Sequence, residues 1–307
     1  MLRWADQDGL TGGVGRNHHV GRSTGHIDAH LSAHQSPAMS EHRRRGGTGA
    51  AGLGDTASCY FDTTRTISMH PVFPVCVEWD SILDLRYGPG TETLTAAEQA
   101  RAVHADHDIH LLRPLVPGET LSTTATAVAV EQRRPGAYLL KRLDTVDARG
   151  EPVMRTWQGT LYRGVAVVDE AAPIDTAPAW PAPGDDENLA SHVLPVAANS
   201  AHVYTECARI WNPIHTDRAH ALTAGLPDII LHGTATLALA VSRLVQSELD
   251  DAPGRVTRVG GRFSGMVLMP SLLGLKLESH LPGLIRFRVV AANGRDAIRR
   301  GFLEYAP

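Results

Sequence analysis

The chain has 307 residues, 43% of them hydrophobic, so it is long and apolar enough to form two domains of ordinary size. Its 29 basic and 33 acidic residues leave a net charge of −4, which argues against nucleic acid or an anionic membrane surface as a partner. No segment reaches the roughly 18 uninterrupted apolar residues of a membrane span, so small molecules or other proteins are the expected partners.

Three cysteines are spread widely along the chain, at Cys59, Cys76 and Cys207. Their odd number and wide spacing match neither a disulfide scaffold nor a CxxC metal motif. We therefore expect free thiols in a reducing compartment, the cytoplasm.

The N-terminal segment, residues 1–55, is rich in Gly, His, Arg and Ser and has no sustained hydrophobic period. Such a composition buries too little apolar surface to offset the entropy lost on ordering. The sequence therefore predicts a disordered tail over 1–55. A start codon at Met39 would account for the same composition, which leaves open whether residues 1–38 belong to the native protein.

A first ordered unit is predicted over residues 56–164. It begins with the apolar, proline-punctuated stretch "MHPVFPVCVEWDSILDL", in which "HPVFPV" (residues 70–75) either shapes a ligand tunnel or is plain core. Segments rich in Val, Thr, Leu and Tyr follow, with alternation of period near two and Gly-containing turns between them. They predict the strands of an antiparallel meander, at 107–113, 120–132, 137–147 and 153–163.

The run "HADHDIH" at the start of this meander invites a metal-site interpretation through His104, Asp106, His107 and Asp108. Its position favours a solvated strand edge instead. We therefore predict no metal.

Residues 165–188 are dense in Ala, Pro and Asp, and their prolines exclude a helix or a central strand. This segment is predicted to link two halves. The second half, residues 189–307, repeats the plan of the first with helical material at 213–248 and strand-like runs at 255–264, 272–279, 284–292 and 297–305. An internal duplication is therefore expected.

The segment "DIILHGTATLALAVSRLV" is apolar on nearly every helical face, so the helix must be enclosed by other elements. An antiparallel sheet curled around one central helix encloses it. The predicted fold class is accordingly α+β, with two such units in one chain.

The stretch "IWNPIHTDRAHALTAGLPDIILHGTAT", residues 210–236, resembles the MaoC-like family of (R)-specific enoyl-CoA hydratases and dehydratases. The resemblance covers roughly residues 60–307. It implies a double hot dog fold with the site in the second unit and a degenerate first unit that keeps the interface and an acyl cavity. It further implies an acyl-CoA or acyl-carrier thioester as substrate, no cofactor, and either a homodimer or a partner subunit in a heteromeric hydratase.

Four residues of this stretch are the predicted site. His215 exchanges protons near neutral pH, and the resemblance makes it one half of a catalytic pair. Asn212 orients water or substrate, or only stiffens a turn. Gly233 opens the buried helix, where unpaired N–H groups can polarise a thioester carbonyl, or it only permits close packing. His232 beside it is a substrate-binding position that can also simply pack.

The sequence departs from the family at one position. The family's catalytic aspartate falls three residues before the proline, where this chain has Ile210, preceded by Arg209 in place of the usual glycine. Isoleucine cannot relay a proton. Glu206 and Asp217 are the carboxylates near enough to replace it, although Asp217 more naturally caps the short helix that ends at Gly225.

Three functions remain compatible with the sequence. The first is a hydratase or dehydratase acting on 2-enoyl or 3-hydroxyacyl thioesters through His215, Asn212 and the Gly233 amide. The second is a non-catalytic acyl-CoA-binding or partner subunit, which fits the missing aspartate. The third is a thioesterase on the same fold, with water activated by His215.

Overall fold

The computed structural model describes residues 26–28, 35–41, 46–87, 91–168, 172–183 and 189–307. Most of the predicted tail, residues 1–25, 29–34 and 42–45, lies outside the described residues. Within the described part of the chain, no helix is long and apolar enough to cross a membrane.

In each of two similar halves, a group of helices is followed by a run of strands. The strands are β1 (His26–Asp28), β2 (Gln35–Glu41), β3 (Ala102–Leu111), β4 (Thr120–Arg133), β5 (Gly136–Asp147), β6 (Pro152–Arg163), β7 (Ala166–Val168), β8 (Ala190–Val196), β9 (Val256–Phe263), β10 (Ser271–Leu281), β11 (Leu284–Val290) and β12 (Asp296–Tyr305). The helices are α1 (Gly46–Gly52), α2 (Ser58–Phe61), α3 (Pro74–Arg86), α4 (Ala96–Gln99), α5 (Ser200–Ala208), α6 (Arg218–Thr223) and α7 (Gly233–Glu248), with 3₁₀ turns at Pro213–His215 and Pro253–Arg255.

One ten-stranded sheet joins both halves in the order β2-β4-β5-β6-β3-β9-β12-β11-β10-β8. The two halves of this order mirror each other about the β3–β9 pair, as an internal duplication predicts. The antiparallel meander β4-β5-β6 is where the sequence places it, but the first strand of the predicted meander is not next to β4: β3 pairs with β6 and β9. The strand pairs within this sheet are antiparallel, and the predicted α+β architecture is confirmed.

Helix α7 is the central helix of the second half. It is buried around most of its circumference, with Leu237, Val241 and Leu244 in the main apolar core. The "HPVFPV" stretch of the first half packs on it: Val72 and Val75 join the same core, and the His70 ring lies 3.1 Å from the Ser242 hydroxyl. Residues 70–75 are therefore core that ties the first half to α7.

Ion pairs reinforce the central β3–β9 pair. Arg258 binds both carboxylate oxygens of Asp108, at 2.9 and 2.8 Å, and Arg262 Nε donates to Asp106 at 2.9 Å. The prediction of a solvated strand edge for residues 104–110 is therefore wrong. These acidic residues lie in the middle of the sheet because arginines from the other half of the chain neutralise them.

The prediction that disorder extends to residue 55 is also wrong. Helix α1 lies against α5, where Gly52 lets Cys207 come so close that a Cβ on residue 52 would meet the Cys207 Cβ at 2.8 Å. Asp55 accepts a hydrogen bond from Gln246 of α7 at 3.1 Å. The high glycine content of this segment led to the prediction of disorder. In the structure, Gly52 permits close packing of two helices.

The linker between the halves lies partly on the sheet. Its start forms β7, which pairs in parallel with β1. Further along, the Trp180 ring packs edge to face on Phe302 at 5.5 Å between centroids, and the Ala179 carbonyl accepts from Arg258 at 3.2 Å. The connection therefore covers the outer face of β9 and β12.

Candidate active site

A turn after α5 positions His215. Asn212 adopts an extended conformation (φ −136°, ψ 116°), as expected before Pro213, and Pro213 begins the 3₁₀ turn that ends at His215. The backbone N–H of His215 donates to the backbone carbonyl of Asn212 at 3.0 Å. Within the described residues the Asn212 side chain makes no hydrogen bond, so its amide is available to a ligand.

The protonation state of the His215 ring follows from its contacts. Its Nδ1 lies 2.7 Å from the carbonyl oxygen of Ile230. Because a carbonyl only accepts, Nδ1 carries the proton and Nε2 presents a free lone pair. Burial lowers the pKa of His215 to about 4, so the ring is neutral at physiological pH. His215 is therefore arranged as a base.

His232 stacks on His215, with ring centroids 3.6 Å apart and planes inclined by 25°. Its Nε2 lies 3.3 Å from both the Ile210 carbonyl and the Thr205 hydroxyl. Burial, together with the adjacent His215, holds the pKa of His232 well below its usual range. The stacked pair is thus kept neutral, and His232 fixes the plane of the His215 ring.

The N-terminus of α7 lies directly after His232. The N-cap His232 makes no side-chain capping bond, so the first N–H groups of the helix have no intrahelical partner. Such groups, with the positive end of the helix dipole, stabilise developing negative charge. Thr234 beside them accepts a hydrogen bond from the buried Tyr204 hydroxyl at 3.2 Å.

Gly233 has a clear packing role. A Cβ at this position would lie 3.0 to 3.2 Å from the Phe263 ring, so the glycine makes room for Phe263. The packing interpretation thus has direct support. An oxyanion role of the Gly233 amide stays a prediction.

Neither candidate replacement for the missing aspartate reaches this site. The Glu206 side chain is exposed. Asp217 is exposed and accepts from the His220 N–H at 3.0 Å, which confirms its predicted capping of α6. Ile210 itself is 4% exposed and belongs to the apolar core, and Arg209 before it has φ 57°, a conformation that glycine adopts without strain.

Several site residues carry no signal in the sequence. The Ile230 carbonyl acts through the backbone, which any residue type supplies. Thr205, Tyr204 and Phe263 come from α5 and β9 and are brought to the site only by the fold. Tyr204 carries a partial signal: once its helix is known to be buried, its hydroxyl must have a hydrogen-bond partner nearby.

Two family matches divide the chain in the same way as the fold. Residues 184–286 match the family described as MaoC like domain, and residues 50–156 match that described as FAS1-like, dehydratase domain region. Peroxisomal multifunctional enzyme type 2 of Drosophila melanogaster is 26% identical over 205 residues, covering 66% of this chain and 34% of that protein. This chain therefore spans about a third of that relative.

Two further proteins match this chain over a larger share of their own length. Enoyl-CoA hydratase ChsH3 of Mycobacterium tuberculosis is 23% identical over 210 residues, covering 68% of this chain and 72% of that protein. The crystal structure of a MaoC-like dehydratase from Phytophthora capsici is similar with a TM-score of 0.76 at 21% identity, covering 90% of this chain and 95% of that one.

The fold and the paired halves define a double hot dog protein. Residues 184–286 match a MaoC-like domain, and the predicted resemblance of the chain to the MaoC-like hydratase and dehydratase family is confirmed.

Proposed function

We propose that the protein is a hydratase or dehydratase of 2-enoyl and 3-hydroxyacyl thioesters. The observation that carries the proposal is the His215–Ile230 hydrogen bond, which leaves Nε2 as the basic atom of a buried, neutral imidazole beside the N-terminus of α7. The names of the relatives, an enoyl-CoA hydratase and a peroxisomal multifunctional enzyme, support the same reaction class.

The proposed reaction uses one imidazole for both proton transfers. His215 Nε2 takes a proton from water as the water oxygen bonds to the β-carbon of the enoyl thioester. Electrons of the double bond move to the thioester oxygen, where N–H groups of Gly233 and its neighbours in the first turn stabilise the enolate. The imidazolium then returns its proton to the α-carbon, and the sum is the addition of one water. Asn212 orients the attacking water through its free amide.

The substrate is proposed to be an acyl-CoA or acyl-carrier thioester, bound without cofactor or metal. We place the site in the unit of residues 189–307 and the acyl chain against the degenerate unit of residues 56–164, joined by the linker 165–188. A homodimer, or a partner subunit in a heteromeric hydratase, is compatible with this arrangement.

A second candidate function is favoured by Ile210. The buried isoleucine stands where the family has its aspartate, and both nearby carboxylates, Glu206 and Asp217, are exposed. A non-catalytic subunit that only binds acyl thioesters needs no carboxylate for proton transfer. This second function leaves unexplained why His215 keeps a free basic nitrogen.

Mass spectrometry of the purified protein with a panel of 2-enoyl, 3-hydroxyacyl and saturated acyl-CoA thioesters tests the proposal. We expect gain of one water by enoyl substrates and its loss from 3-hydroxyacyl substrates. Release of free coenzyme A would identify a thioesterase instead. Binding of every thioester without any change in mass would establish the non-catalytic function.

The pH dependence of hydration should reflect the buried state of His215. Because its pKa is about 4, the imidazole stays in its basic form well below pH 6.5. We expect kcat/KM for an enoyl thioester to be constant down to about pH 5 and to fall as pH decreases through about 4. Circular dichroism at each pH separates this loss from unfolding. An acid limb near the ordinary histidine pKa would mean that the base is a solvated group.

A further inference from the structure

We propose that Lys141 in the first half binds a carboxylate at the far end of the acyl chain, so that the preferred substrates are thioesters of dicarboxylic acids. This inference rests on the proposed function, since it assigns the acyl group of the same substrate. Its basis is a buried cation without a counter-ion at the end of a polar row that starts at the site.

Lys141 is 1% exposed and lies on the inner face of β5. Its ammonium donates to Gln158 Oε1 and Thr160 Oγ1, both at 2.9 Å, and both acceptors are neutral. An ammonium has three N–H groups, so with two acceptors present one N–H has none. In the part of the chain that the structure describes, no carboxylate pairs with Lys141.

The electrostatic surroundings of Lys141 are unfavourable to a cation. Burial is the main cause that lowers its pKa, to about 7, and the positive charge of Arg86 adds to the effect. The buried carboxyl on α3, Glu78, bonds to Thr156 and not to the ammonium. The amine is therefore partly neutral near pH 7, and an anion bound beside it would hold it in the charged form.

A second unsatisfied donor lies on the same face. His104 Nε2 lies 3.1 Å from the Asp106 carbonyl, so this nitrogen carries a proton, and His107 Nδ1 accepts from it at 3.0 Å. The proton of His107 is therefore on Nε2. That N–H belongs to a fully buried ring and has no partner among the described residues. His107 lies opposite Gln158 in the sheet, and Gln158 lies opposite Lys141.

These groups form a continuous row from the site. The Phe263 ring packs against Gly233 at the N-terminus of α7 and contacts His104 edge to face, with centroids 4.7 Å apart. His104 is opposite Thr160, which bonds to Lys141. From β9 across β3 and β6 to β5 are three strand spacings, about 14 Å. An acyl chain whose thioester lies at α7 and whose other end meets Lys141 would follow this row.

A carboxylate fits the row better than an apolar methyl end. It would accept from the free ammonium N–H and neutralise the buried positive charge. An apolar chain end would leave that donor unpaired. The lysine therefore favours a dicarboxylic acyl group.

The test is calorimetric binding of two saturated CoA thioesters of equal chain length, one ending in a methyl group and one in a carboxylate. Neither can be hydrated, so the result is independent of turnover. We expect the wild-type protein to bind the carboxylate-ended thioester about tenfold or more tightly, the equivalent of one charge-assisted hydrogen bond. Lys141→Met and Lys141→Gln should both abolish the preference for the carboxylate-ended thioester. The control Lys276→Met on β10 should leave that preference unchanged.

Thermal melting of the variants gives a second readout that does not depend on a ligand. Lys141→Met removes the buried ammonium but also leaves Gln158 Oε1 and Thr160 Oγ1 without its N–H donors, so the Tm shows whether the variant is folded at the temperature of the binding measurement. Equal affinity of the wild-type protein for both thioesters would overturn the inference, as would a preference that survives in Lys141→Met. A preference for the carboxylate in a protein that hydrates no enoyl thioester would retain the inference and reject the proposed reaction.

Discussion

Replacing His215 with alanine is expected to reduce kcat/KM for enoyl-thioester hydration by about a hundredfold to ten-thousandfold, the usual contribution of a positioned acid or base. The large effect follows from the proposed mechanism, in which the same Nε2 serves both proton transfers. With Ile210 in place of a carboxylate, no second acid or base at that position can share the work. The measurement is steady-state hydration followed by loss of enoyl absorbance.

The matched control is His220→Ala. His220 lies on α6, a few residues along the chain, and its side chain is exposed. This variant should hydrate like the wild-type protein, which would show that loss of a histidine from this segment does not by itself impair folding. A His215→Ala protein that is folded and retains at least a third of wild-type kcat/KM would rule out the imidazole as the base, and the non-catalytic function would then be preferred.

The fold was largely predictable because its signals are periodic. Alternation near a period of two marks strands such as β4, whose inner and outer faces differ, and the segment that forms α7 is apolar on all sides because a sheet surrounds it. Helix α5 and strand β8 were not predicted, because their sequence signals are weaker. Both are short, and β8 is an edge strand whose residues alternate between buried and exposed without a strong apolar face.

The predicted helical stretch of residues 213–248 is broken in the structure. A 3₁₀ turn, α6, an extended segment and α7 follow each other there, and the isolated pairing of Ile230 with Leu268 holds the extended segment. The break matters for the site, since it places the Ile230 carbonyl against His215. A contact between backbone atoms of one segment and a ring from another has no sequence signature.

The polar cluster of the first half shows a different limit of the sequence. His104 and His107 suggested metal ligands or a solvated edge, because charged and imidazole groups are usually exposed. The acidic residues between and beside them, Asp106 and Asp108, are buried in ion pairs with Arg262 and Arg258, about 150 residues away in the chain. Partners so distant in the chain cannot be assigned from one sequence by spacing, and Lys141 likewise appears as an ordinary exposed strand residue until the sheet is assembled.

Ile210→Asp tests whether the site lacks only the carboxylate. The Ile210 carbonyl accepts from His232, which stacks on His215, so residue 210 is adjacent to the histidine pair. We expect kcat/KM for hydration to rise about a hundredfold or more, since a second acid or base becomes available. We also expect a loss of about 3 to 5 kcal/mol in the free energy of unfolding, because an apolar core side chain is replaced by a buried polar one.

Ile210→Asn separates these two effects. Asparagine has nearly the shape of aspartate and should lower the free energy of unfolding by a similar amount, measured by urea denaturation, but it cannot exchange a proton. A rate gain in Ile210→Asp alone would mean that His215, Asn212 and the start of α7 retain hydratase geometry around a single missing group. If both variants are destabilised equally and neither hydrates faster, the geometry itself has diverged, and binding rather than catalysis is the function that the pocket retains.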